Sequence, residues 1–178
     1  RAPDIATAIK RNLPHITVFT MQGDGDCIAI GAGSLIGALS RGEKITIIMC
    51  NNTNFGMTGG QMAPTTTVGQ VTTTSPQGRN PTAEGYPTHA AELVAVFKGA
   101  SYSARGAVHT VANYRRTKGY IKTAFQRQIE GVGLSFVEVI TACPTNWHMS
   151  PVQSLAWIEE KVIPEFPLGE FRNVAHIQ

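Results

Sequence analysis

Gly23-Asp24-Gly25-Asp26 and Asn51-Asn52 are the residues of this chain best suited to chemistry. Counting Gly23 as one, Asn52 is thirtieth, and the segment between reads as a helix and then a buried strand. That layout sets a carboxylate, Asp24, and a carboxamide, Asn52, at the carboxyl ends of two neighbouring strands, where open parallel sheets bind ligands. Mg²⁺ takes oxygen ligands in near-octahedral array and usually binds through few protein groups plus phosphate oxygens. A shared magnesium ion is the expected use of the pair. The helix after Asp26 aims its free N–H groups and positive dipole end at the same place, which suits a diphosphate. Gly23 and Gly25 let the backbone turn sharply and approach the anion. Either half alone is an ordinary turn. Together, at this spacing, they read as a site.

The elements that must position them follow from periodicity. Residues 3–12 open with Pro3 at a first helical position and carry Ile5, Ala8 and Ile9 on one face. His15 to Met21 reads as a strand entering the Gly-Asp turn, and residues 27–40 as a glycine-containing helix. Ile45 to Cys50 is a continuous apolar run, the mark of a strand covered on both faces. Residues 52–88 have little periodicity and many Thr, Gly and Pro; a stretch that long inside a domain is functional or disordered. Helices are expected near 88–99, 112–130 and 151–162, with strands near 101–105 and 134–141. A Pro-rich tail over 161–178 is expected to dock on a partner. Strand–helix alternation predicts an α/β fold across 1–178, doubly wound, with a mainly parallel sheet flanked by helices.

Composition narrows the function class. A length of 178 residues suits one domain with its own core. The formal charge of +3 is too small to argue for nucleic acid, and Arg115, Arg116, Lys118, Lys122 and Arg127 read as a solvated helix face. No apolar run approaches the roughly 20 residues that span a bilayer. Cys27, Cys50 and Cys143 form no C-x-x-C pair and give no disulfide framework. Cys143 stands apart because it ends a strand and precedes Pro144.

The Gly23-Asp24-Gly25 and Asn51-Asn52 pairing resembles the thiamine diphosphate motif. Gly59-Gly60-Gln61 narrows the resemblance to the beta subunits of 2-oxoacid:ferredoxin oxidoreductases. The likeness covers essentially the whole chain: the loop Phe55 to Gln61 with Pro64-Thr65-Thr66, the segments Thr72 to Pro76 and Gly85-Tyr86-Pro87, and the turn Cys143-Pro144-Thr145-Asn146-Trp147. Relatives commonly carry glycine where His148 stands here.

The resemblance implies a thiamine-diphosphate-binding fold. It makes Asp24, the side-chain oxygen of Asn52 and the backbone carbonyl of Asn54 ligands of Mg²⁺. It sets Gly23, Gly25, Asp26, Met57 and Thr58 about the cofactor. It also implies a [4Fe–4S] cluster held by four cysteines, of which Cys143 matches one and three lie in a segment preceding Arg1. The chain opens at Arg1 rather than methionine, so that segment is expected to have been removed and the chain as given to carry no cluster. The implied reaction is oxidative decarboxylation of a 2-oxoacid with coenzyme A, reducing ferredoxin, in the cytosol. The Met57–Met62 loop looks closest to 2-oxoglutarate or branched-chain members, with a lean to 2-oxoglutarate. The activating glutamate is expected on an alpha partner, which leaves this chain half a site. A non-redox thiamine diphosphate enzyme would share the metal motif without needing Cys143, and a degenerate scaffold would keep the fold alone.

Overall fold

A computed structural model describes residues 1–177. Helix α1 (Ala2–Asn12) leads to strand β1 (Phe19–Gly23), a π-type turn over Asp26–Ile30 and helix α2 (Ala32–Arg41). Strand β2 (Thr46–Asn51) ends at the Asn-Asn pair, and a short hairpin follows, β3 (Asn54–Phe55) with β4 (Gln61–Met62). Helices α3 (Pro81–Glu84) and α4 (Ala90–Ala95) precede β5 (Ala100–Ala107), α5 (Val111–Ile129) and β6 (Leu134–Ile140). Helices α6 (Pro144–Trp147), α7 (Pro151–Trp157) and α8 (Ile163–Glu165) lead to β7 (Gly169–Asn173).

The main sheet has the order β1-β2-β6-β5-β7. Its first four strands are parallel, and β7 pairs antiparallel with β5. This is the α/β architecture expected, with one antiparallel strand at its edge. Strands β5 and β6 are buried at every position, which the largely apolar run of β6 requires when helices cover both faces. One face packs Leu35, Leu39, Val94, Met49 and Phe136 with α1, α2 and α4. The other packs Tyr102, Val137 and Val139 under Ala124, Tyr120 and Phe125 of α5. On β1 that helix offers Phe125, whose ring meets Phe19 edge-to-face at 5.5 Å, and Phe19 and Met21 stay 53% and 69% exposed.

Three expectations are adjusted. The helix expected over 27–40 breaks at Gly31, whose N–H donates to the Asp26 carbonyl at 2.7 Å. A Cβ there would lie 2.6 Å from that same oxygen, so the wide turn requires glycine. The stretch 52–88 is organised around the buried Arg79, which donates to the carbonyls of Pro64 at 2.9 Å, Thr66 at 2.5 Å, Gly85 at 2.9 Å and Tyr86 at 2.8 Å. One guanidinium thereby satisfies backbone groups that no strand or helix would. Part of the tail, read as a partner-docking segment, supplies β7 of the chain's own sheet.

Candidate functional site

A cavity of about 530 Å³ opens beyond the carboxyl ends of β1 and β2. Gly23, Asp24, Gly25 and Asp26 form one wall, and Asn52, Asn54, Phe55, Gly56, Met57 and Thr58 another. Cys143, Thr145 and Asn146 close it from β6. Every residue singled out as a site residue in the sequence therefore faces one space. Its volume lies in the range of cofactor pockets.

Asp24 sits at the floor, 1% exposed, and accepts a hydrogen bond from the Thr65 hydroxyl. Burial pushes its carboxyl up to about 6, against the pull of the Thr65 hydroxyl and the Gly25 N–H. With Nδ2 turned inward, the Asn52 side chain donates to the Asn54 carbonyl at 2.6 Å and to Asp24 Oδ1 at 3.2 Å. Turned the other way, its carbonyl oxygen faces those same two oxygens. Three oxygens so placed repel one another unless a cation lies between them. The separations of 2.6 and 3.2 Å bracket the roughly 3.0 Å between neighbouring ligands of an octahedron with metal–oxygen distances of about 2.1 Å. The Asn54 side-chain oxygen is buried with no partner, on the side of Gly56 and Cys143, which leaves unmet polar capacity beside the loop. At Gly23 no protein atom lies within 4 Å of where a Cβ would stand, so the backbone there is open to a ligand. At Gly25 a Cβ would lie 2.2 Å from the Phe55 ring, so glycine is required for that ring to close over the turn. The donor set and the open backbone fit a magnesium diphosphate.

The loop bearing Asn52 is held from behind. Trp147 Nε1 donates to the Asn52 carbonyl at 3.2 Å, and Asn146 Nδ2 donates to the Gly56 carbonyl at 2.8 Å and to Cys143 Sγ at 3.3 Å. The turn carrying Cys143 is thus tied to the loop carrying Asn52. His148 takes φ 54°, the left-handed region that glycine favours. Met57 is fully exposed at the cavity mouth, and Thr58 Oγ1 donates to Gln61 Oε1 at 2.6 Å. Cys27 is buried, which pushes its thiol up to about 12, and burial raises Cys50 as well. Both stay protonated, Cys27 in the core and Cys50 half-buried. Arg115, Arg116, Lys118 and Lys122 face solvent on α5, away from the cavity lining.

Sequence reasoning passed over Glu138 and Arg105, which lie behind the site. Both are fully buried and joined at 2.9 Å. The signal was available: a carboxylate inside the apolar run Leu134–Ile140 needs a partner when both faces are covered.

The Asp24 shift has a sign that can be checked. The folded pKa near 6 lies above the 3.8 of an unperturbed aspartate. Between those values the folded chain keeps a proton that the unfolded chain has lost. Stability of the metal-free protein therefore falls as pH rises from about 4 to 6 and levels off above, by about 3 kcal/mol in all. Denaturant titrations in EDTA across pH 4–8 measure this, and Asp24→Asn should flatten that part of the profile.

Residues 1–139 match the family described as thiamine pyrophosphate enzyme, C-terminal TPP binding domain. The chain belongs to this family. It is 42% identical over 97% of its length to the ketoisovalerate oxidoreductase subunit VorA of Methanothermobacter thermautotrophicus, covering 36% of that protein. It is 38% identical over 90% of its length to the 2-oxoglutarate synthase subunit KorB of Archaeoglobus fulgidus, covering 55% of it. The chain thus spans about a third to a half of the curated relatives it matches. Its fold matches a solved structure, 2-oxoglutarate:ferredoxin oxidoreductase from Magnetococcus marinus with 2-oxoglutarate, coenzyme A and succinyl-CoA bound. The TM-score is 0.76 at 21% identity, covering 98% of this chain and 62% of that one.

Proposed function

We propose that this chain is the thiamine-diphosphate-binding part of an enzyme that oxidatively decarboxylates a 2-oxoacid to its acyl-CoA and passes the electrons to ferredoxin. The observation that carries the reading is the meeting of Asp24, Asn52 and the Asn54 carbonyl in one cavity with Cys143. Asp24, Asn52 Oδ1 and Asn54 O would hold Mg²⁺ and through it a diphosphate, with Gly23 leaving room for the phosphate oxygens. Asp26, Met57 and Thr58 border the rest of the cofactor. When bound, thiamine diphosphate supplies the electron sink that lets a 2-oxoacid lose carbon dioxide. Phe55, closed over Gly25, helps exclude water from that side.

Cys143 is proposed as one ligand of a [4Fe–4S] cluster whose other three thiolates come from outside these residues. Its place in the cavity wall supports electron transfer from cofactor to cluster, and a non-redox enzyme would have no such need of it. The site is proposed to be completed by an alpha partner carrying the activating glutamate. Met21, Ile30 and Met57 are 69%, 64% and 101% exposed on the segments that carry the site, as an apolar docking face would be. No described helix is long and apolar enough to cross a membrane, and a cytosolic enzyme is proposed. For the acid itself, the higher identity over the larger share of the chain is to the relative named for ketoisovalerate. That likeness favours a branched-chain 2-oxoacid over the 2-oxoglutarate that the loop suggested.

The test is anaerobic viologen reduction by the full-length protein assembled with its alpha partner, with thiamine diphosphate, Mg²⁺ and coenzyme A. 2-Oxoisovalerate, 2-oxoglutarate and pyruvate form the panel. Dye reduction with the branched-chain acid first among them is expected. A cofactor-loaded complex that releases carbon dioxide without reducing the dye would support the non-redox alternative instead.

A further inference from the structure

Asn51, between strand β2 and the metal loop, is fully buried and uses both ends of its amide. Its oxygen accepts the Thr53 N–H at 3.0 Å, and its Nδ2 donates to Glu138 Oε1 at 2.7 Å. Thr53 holds φ 58°, a left-handed conformation that a β-branched residue adopts only under constraint. This turn is what brings Asn52 and the Asn54 carbonyl round to face Asp24. Glu138 Oε2 accepts in turn from Arg105 Nε at 2.9 Å and from the Ala91 N–H at 3.2 Å. Both carboxylate oxygens are committed, so the carboxylate cannot rotate away from Asn51. Arg105 is fixed by Glu92 and the Pro167 carbonyl, and lies between the rings of Phe166 and Phe171 at 5.2 and 5.1 Å.

We propose that Glu138 is a positioning residue for the magnesium site: through Asn51 it holds Thr53 in the left-handed turn that presents Asn52 and Asn54 to the cation. The proposal rests on reading the cavity as a magnesium diphosphate site. Its logic is one of hydrogen-bond polarity. A glutamine at 138 must keep its oxygen toward Arg105 Nε and the Ala91 N–H, so its NH₂ faces the NH₂ of Asn51. Asn51 relieves the conflict by turning over, and its NH₂ then meets the Thr53 N–H. The turn loses its clamp on the Thr53 N–H and keeps only the bonds from Thr66 and Gln70 to the Thr53 carbonyl and hydroxyl. Asn51→Asp together with Glu138→Gln restores every bond, with only the one between 51 and 138 reversed in polarity, because one Asp oxygen accepts from the glutamine and the other from Thr53.

The experiment measures Mg²⁺-dependent thiamine diphosphate binding by calorimetry on the full-length assembly, for wild type, Glu138→Gln, Asn51→Asp, the double variant and Asp24→Ala. Each is held at a temperature where circular dichroism shows it folded. The apparent Mg²⁺ affinity should fall about 10- to 100-fold in each single variant, the scale of a lost outer-shell partner. The double variant should return to within about threefold. A merely structural role predicts unchanged Mg²⁺ affinity in the folded single variants, and that result overturns the proposal, as does a double variant as weak as Glu138→Gln. If Glu138→Gln does not fold, the double variant is compared with Asn51→Asp, and the same recovery is required. Wild type that needs no Mg²⁺, or is indifferent to Asp24→Ala, removes the magnesium reading and the proposal with it.

Discussion

Replacing Asp24 with alanine is expected to abolish Mg²⁺-dependent thiamine diphosphate binding, lowering apparent affinity by more than about 100-fold, beyond the range seen for outer-shell partners alone. Asp24 is the only carboxylate among the three oxygens that meet in the cavity, so on the proposed reading it would supply the charge that Mg²⁺ requires. Its removal also deletes a buried carboxylate whose ionised form is held unfavourably, with burial pushing it up to about 6. The metal-free variant should therefore be at least as stable as wild type at pH 8, while losing its response to magnesium. That opposition separates a ligand from a structural residue. Calorimetry for binding and denaturant titration for stability read the two effects independently. A variant that binds as wild type does, or that simply unfolds, would contradict the assignment.

Arg105→Met should carry the largest loss of stability in the chain. The guanidinium is fully buried between Glu138 and Glu92 and donates to both. Burial opposes the charge on Arg105, but the two carboxylates prevail and raise its pKa. Burial likewise opposes ionisation of Glu92, and Arg105 outweighs it, holding that carboxyl below its usual value. Methionine keeps most of the volume but leaves two carboxylates facing each other without a cation. Breaking such a buried pair from one side costs about 3–5 kcal/mol, equivalent to roughly 10 °C in Tm for a domain of this size. The loss should shrink at low pH, where Glu92, held below its usual value by Arg105, takes up a proton. A loss under about 1 kcal/mol at pH 7 would show that the network is not ionised as described.

What could be read beforehand divides along physical lines. The apolar runs of β2 and β6 announced a sheet covered on both faces, and the strand ends at Gly23 and Asn52 placed the site. Those are local signals: periodicity, turn chemistry and the spacing of two oxygen-bearing residues. The π-type turn at Gly31 was hidden because a five-residue hydrogen bond leaves no mark on periodicity over one turn. Arg79 drew no attention because its partners are carbonyls, which any residue supplies. Asn51 bonds to Glu138 across 87 positions, a pairing that only the β2–β6 register creates. The tail folded back as β7 because the free edge of β5 could accept a strand, and a short segment such as Gly169–Asn173 carries little pattern of its own. The residues that line the cavity were legible, while the groups that hold them in place were not.

The central claim is that one divalent cation binds between Asp24, Asn52 Oδ1 and the Asn54 carbonyl and carries the diphosphate. The most direct test is a crystal structure of the full-length assembly with Mn²⁺ and thiamine diphosphate, with the metal located by anomalous scattering. The account predicts a single peak at ligand distance from those three oxygens, with two diphosphate oxygens completing the shell beside Gly23. A metal bound elsewhere, or a diphosphate seated with no contact to Asp24, would contradict it.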